Sequence, residues 1–151
     1  MPRIPNKQIL YSDLDWFAVD QSGAVGHFTS YGAGELPESV ACDQEGYLLV
    51  LEYFEGQAAS TGAARPVAGG DCEGLEPWLS YARRGLYSYD SSHPGAANHD
   101  YRLIALPEHP VHISGIPETI AAVLRRTTTA DVSFCDSPSI SITTFGPIAG
   151  Q

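Results

Sequence analysis

Apolar and polar positions change period several times along the chain. Residues 16–20 (Trp-Phe-Ala-Val-Asp) are apolar and aromatic, residues 21–23 supply a glycine-containing turn, and residues 24–30 resume the apolar run. Two short aromatic or β-branched runs around such a turn predict a β-hairpin. Gly32 and Gly34 end the second strand ahead of Pro37. Over residues 38–54 the period becomes helical: Val40, Tyr47, Leu51 and Phe54 fall in one narrow sector, and Glu38, Glu45 and Glu52 fall nearly opposite. The spacing predicts one helix over this stretch. Gly46 weakens it, since glycine costs about 1 kcal/mol relative to alanine inside a helix.

Residues 56–70 are small and flexible and read as an internal loop. A second helix starts with Pro77 at its first position and ends at Arg83 and Arg84 before Gly85, the usual placing of proline and glycine. Residues 86–100 read as a turn-rich loop, and residues 101–106 as a strand stopped by Pro107. Pro117 opens a last helix with Glu118 in its first turn and Arg125 and Arg126 in its last, signs that suit the helix dipole. Residues 131–134 and 139–144 alternate as closing strands. The expected fold is one α+β domain over residues 1–151. It has a mostly antiparallel sheet, about three helices and an N-terminal arm over residues 1–10.

At 151 residues the chain can bury a core without a metal or disulfide staple. Residues 1–10 lack the apolar run of a signal peptide, and no stretch approaches the ~20 apolar residues that span a bilayer. Cys42, Cys72 and Cys135 are odd in number, far apart and without CxxC spacing. The expected state is buried, reduced thiols in the cytoplasm.

Chemistry is sparse. His93, His99, His109 and His112 lie within twenty residues, but HxxH in a proline-bounded loop does not force ligands to converge, so no metal is expected. No GxSxG elbow, GxGxxG or Walker loop is present, and no cofactor is expected. Asp13 and Asp15 share a strand face and could cooperate in acid/base work or hold a cation. A solvated strand start flanking Trp16 and Phe17 is the plainer reading of that pair.

Charge changes the picture most. The formal net charge is −10, and residues 8–64 carry nine acids with no Lys or Arg. This disfavours nucleic acid and anionic membranes as direct partners. Concentrated like charge costs stability unless a cationic partner rewards it. Plain solubility is the competing explanation.

The segment 15–20 (Asp-Trp-Phe-Ala-Val-Asp), residues 26–30 (Gly-His-Phe-Thr-Ser) and Leu36-Pro37 resemble a family of small bacterial proteins. Residues 85–90 (Gly-Leu-Tyr-Ser-Tyr-Asp), residues 101–105 and Pro107 extend the likeness in patches over residues 13–125. These proteins are similar to the immunity proteins found beside polymorphic and secreted toxins. The resemblance implies neutralisation of a cognate protein toxin by binding and does not name the toxin. The acidic charge makes occlusion of a basic active-site cleft the expected mechanism, a kind of cleft usual in toxins that act on nucleic acid or nucleotides. The expected partner surface comprises Asp13, Asp15, Glu38, Glu45, Leu49, Glu52, Tyr53 and Glu55. The alternatives are a small metal-dependent or acid/base enzyme using Asp13 and Asp15 or the His93–His112 region, and an acidic scaffold.

Overall fold

The computed structural model describes residues 2–30, 35–65, 74–91 and 100–150. Among them the order is α1 (Asn6–Tyr11), β1 (Asp15–Val19), β2 (Val25–Thr29), α2 (Glu38–Ala41), α3 (Gln44–Glu55), β3 (Ala63–Ala64), α4 (Glu76–Ala82), β4 (Tyr87–Ser91), β5 (Asp100–Pro107), α5 (Glu118–Leu124) and β6 (Ser139–Ser141). The fold is α+β. The strands form one mixed sheet in the order β1-β2-β4-β5-β3, with β6 also on β5. β2 and β4 run parallel, and the other pairings are antiparallel.

The β1–β2 hairpin forms where its two apolar runs predict, and both faces are covered. Trp16 and Ala18 point to one side, into a core with Phe28, Tyr89, Tyr101, Phe134 and Phe145. Trp16 stacks on Phe28 at 4.3 Å between centroids, and Phe28 stacks on Tyr89 at 5.0 Å. Phe17 and Val19 point to the other side, where α3, α4 and α5 supply Val50, Phe54, Tyr81, Ile120 and Leu124. Strands buried on both faces read as near-continuous apolar runs rather than strict alternation. The hairpin turn is held by Asp20, whose buried carboxylate accepts from the Ser22 and Ala24 N–H groups and, across the fold, from Phe134 N–H. Gly23 has φ +89°, and a Cβ there would sit 2.2 Å from His112 Nε2. No other residue fits that turn.

Several expectations are corrected. The stretch 38–54 is not one helix: it breaks at Cys42 and Asp43 into α2 and α3, and Asp43 precedes the first residue of α3 in extended conformation. Within the expected N-terminal arm, the described residues 2–10 are packed on the fold: Ile4 is fully buried with its N–H on Ala41 O, and α1 follows. Residues 87–91, expected as loop, form a central strand between β2 and β5. Residues 131–134 form no strand; Asp20 draws Phe134 N–H away from a ladder into a 3-10 turn, Phe134–Asp136. The last strand is cut to three residues because Ile142 and Phe145 turn into the core from a second 3-10 turn. Helices therefore number five among the described residues. Of these, α4 and α5 form next to Pro77 and Pro117 as expected. No helix among the described residues is long and apolar enough to cross a membrane. Residues 32, 34, 66–70 and 92–99, including His93 and His99, lie outside the described residues, as does Cys72.

Candidate functional site

Helix α3 buries Gly46, Tyr47, Val50 and Phe54 and turns Glu45 and Glu52 outward. Leu48 and Leu49 flank those acids on the same outward half, each 43 % exposed. Leu51, expected in the buried stripe, is only half-buried, and Val50 takes that place. Tyr53 is half-buried, its ring edge-on to Phe54 at 5.1 Å. It is therefore partly a core residue. Glu38 is not part of the α3 ladder, because it lies on α2 and pairs with Arg3.

The basic side chains are mostly neutralised inside the chain. Arg83 pairs with Glu76, Arg125 with Glu118 and Arg126 with Asp43, while Arg84 lies over the Tyr81 ring at 5.1 Å. The exposed pairs of Arg83 and Arg125 stabilise little, but all three pairs remove positive charge from the surface field. Among the described residues Glu45, Glu52 and Glu55 have no ion pair or hydrogen-bond partner. An apolar pair rimmed by unpaired carboxylates has the make-up of a small interface centre.

A second constellation lies at the end of the sheet. Register places Asp15 opposite Thr29 and Phe17 opposite His27, and His27 beside Ser88 on β4. Fully buried His27 puts Nε2 2.7 Å from Asp15 Oδ1 and Nδ1 2.6 Å from Ser88 Oγ. A carboxylate only accepts, so Nε2 carries the proton and Nδ1 accepts from the serine hydroxyl. Burial lowers the His27 pKa, and the Asp15 contact opposes that only in part. The ring stacks on Tyr81 at 3.8 Å. Burial, then the charges of Asp15 and Glu55, push the Tyr81 hydroxyl up to about 12. Burial, then the charges of Asp15, Glu55 and Asp13, likewise push the Tyr47 hydroxyl up.

Aspartate, histidine and serine in a row invite comparison with a hydrolase triad, and the geometry is wrong for one. Ser88 donates to the imidazole as a triad serine would, but it is fully buried, so no substrate carbonyl can reach its Oγ. What the chain of bonds does is fix Asp15, whose side chain remains 34 % exposed. Asp90, next to Thr29 on β4, accepts from Thr29 Oγ1 at 2.8 Å, and burial raises its pKa.

The HxxH pair is not brought together. His109 is exposed beside Glu108, whereas His112 Nε2 bonds Ser22 O against the hairpin turn. Among the described residues no three His, Cys, Asp or Glu side chains are grouped to hold a metal ion. Cys135, expected buried in a strand, is exposed because the 3-10 turn at Phe134 faces it outward; Cys42 is half-buried.

Sequence reasoning missed His27, Ser88, Leu48 and Asp43. For His27 the signal was a lone histidine inside an otherwise apolar strand. For Asp43 it was an Asp-Gln step in mid-helix. Comparison with known proteins finds no matching family model, no matching curated protein and no matching solved structure.

Proposed function

We propose that this chain works by binding: an immunity-type protein that docks the outward face of α3 over the basic active-site cleft of a cognate toxin. The observation that carries this reading is Leu48 and Leu49 exposed between unpaired Glu45 and Glu52 on a helix with no cation. Carboxylates there steer a basic partner and select it, while the leucines lose water on contact. Affinity purification from the native host tests this reading. The wild-type chain retains a basic toxin domain, and the E45K/E52K/L49S variant, folded by circular dichroism, releases it. Equal retention by both overturns the surface.

A second reading has one specific observation in its favour: Asp15 is a partly exposed carboxylate fixed by a buried histidine, as an acid/base group would be. Stoichiometry separates the two. A binding inhibitor neutralises its toxin one to one, whereas an enzyme neutralises it in substoichiometric amounts and loses this in Asp15→Asn.

A further inference from the structure

Helices α2 and α3 meet α5 and β1 around a cavity of about 30 Å³ that opens to solvent. Phe17, Val40, Val50 and Val123 give it apolar walls, and Asp43, Ser39 and Thr127 line it with oxygens. The Asp43 side chain is only 8 % exposed. Its Oδ2 accepts from Arg126 Nη1 at 2.8 Å, and its Oδ1 is buried with no hydrogen bond from any described residue. The backbone N–H of Gly46 and the Arg126 guanidinium hold this carboxyl below the usual range, so it is ionised. A buried acceptor without a donor is rare in folded proteins and costs on the order of 1–3 kcal/mol, more when charged. Ser39 Oγ and Thr127 Oγ1 share one hydrogen bond of 2.7 Å, which leaves lone pairs on both hydroxyls. Tyr47 and Arg126 also line the cavity, and within it the Asp43 Oδ1 atom is left without a hydrogen-bond donor.

We propose that this cavity binds a primary ammonium group, the lysine head of the basic protein partner. The group fits the space: a water-sized position takes roughly 10–15 Å³, so the cavity has room for an ammonium with its adjoining methylene. The apolar walls match the methylene stem of a lysine, which buries its carbons while its nitrogen keeps polar partners. An ammonium has three donors to share between Asp43 Oδ1 and the hydroxyl oxygens. Arg126, itself in the lining, bonds the other carboxylate oxygen, Oδ2, which leaves Oδ1 open to the ammonium. Assigning the ammonium to a partner's lysine rests on the binding reading above, while the site itself is testable on the chain alone.

The experiment titrates n-butylammonium chloride into the 15N-labelled chain, with n-butanol and tetramethylammonium chloride in parallel. Binding gives saturable shifts at the amides of Asp43, Gly46, Val123 and Thr127. The midpoint lies at least about tenfold below that of n-butanol, a ratio worth roughly 1.4 kcal/mol. Tetramethylammonium has no donor and gives no saturable shift there. Asp43→Asn removes the preference for ammonium over butanol. Val40→Phe fills the cavity, leaves Asp43 in place, and abolishes the shifts even if Asp43→Asn fails to fold. Equal responses to butylammonium and butanol, or no saturable response, overturn the site and leave the cavity to water. Ammonium binding combined with full retention of the partner by Val40→Phe overturns the assignment to a partner's lysine. That result leaves the α3 surface standing.

Discussion

His27 donates its Nε2 proton to Asp15 Oδ1 across 2.7 Å while its ring has no contact with solvent. The pair joins the surface of the sheet end to its interior, since Nδ1 continues the chain of bonds to buried Ser88. Because burial outweighs the carboxylate, His27 is neutral in the fold, and its pKa lies below the ordinary 6.5. An unfolded chain with an ordinary histidine therefore binds more protons than the folded one at mildly acidic pH. The stability tied to the neutral ring is fully present above pH 6.5 and is lost as pH falls through and below that value.

Urea midpoints measured from pH 8 to 5 should accordingly stay level down to about 6.5 and then decline. One proton contributes a slope of up to about 1.4 kcal/mol per pH unit. His27→Gln keeps a donor and an acceptor but cannot titrate, so its profile should be flatter over the same range even though its midpoint is lower throughout. A wild-type midpoint that rises on acidification contradicts a neutral His27.

A core prediction concerns Phe28, which lies between Trp16 and Tyr89 with both rings stacked on it. It is fully buried, so Phe28→Ala leaves a cavity that its rigid aromatic neighbours cannot fill, at a cost of about 3–5 kcal/mol. Chemical denaturation should show that loss. A cost under about 1 kcal/mol would mean that the stack is not the centre of this face.

Gly46 provides a sign test. Helix propensity alone says that Gly46→Ala stabilises α3 by up to about 1 kcal/mol. The structure reverses the sign, because the added Cβ would lie 2.5 Å from Asp43 Oδ2 and 3.2 Å from Val123 Cγ1. Overpacking of this kind costs about 1–3 kcal/mol, and thermal unfolding should show Gly46→Ala less stable than wild type. Gly115→Ala is the control: a Cβ there meets nothing within 4 Å, so its effect stays within about 0.5 kcal/mol.

The same glycine shows where the sequence was readable and where it was not. Trp16 to Val19 and Val25 to Thr29 are apolar enough to be strands anywhere, and Pro77, Gly85 and Pro117 mark helix ends locally, so these elements were legible. Gly46 looked like a flaw in a helix because its reason, the approach of Asp43 and α5, is long-range. β4 was hidden for a related cause. Its Ser88 and Asp90 resemble turn residues until His27 and Thr29 on β2 satisfy them. The outward acids of α3 followed from period alone. Asp43, by contrast, depended on where a helix breaks, which periodicity does not reveal.

The α3 surface carries the last prediction. If Glu45 and Glu52 steer a basic partner, Glu45→Lys/Glu52→Lys should slow association and flatten its dependence on salt, with little change in dissociation. Leu48→Ala and Leu49→Ala should act on the other rate, because their exposed surface is what loses water in the complex. Tyr53 differs from both. Half-buried on Phe54, it supports the second core as well as the rim, so Tyr53→Ala should lower the unfolding midpoint along with any effect on binding. Surface plasmon resonance on the purified partner at two salt concentrations, with circular dichroism melts of each variant, separates these effects. Unchanged association for the charge-reversed chain, with dissociation faster only for Tyr53→Ala, would move the interface away from the outward face of α3.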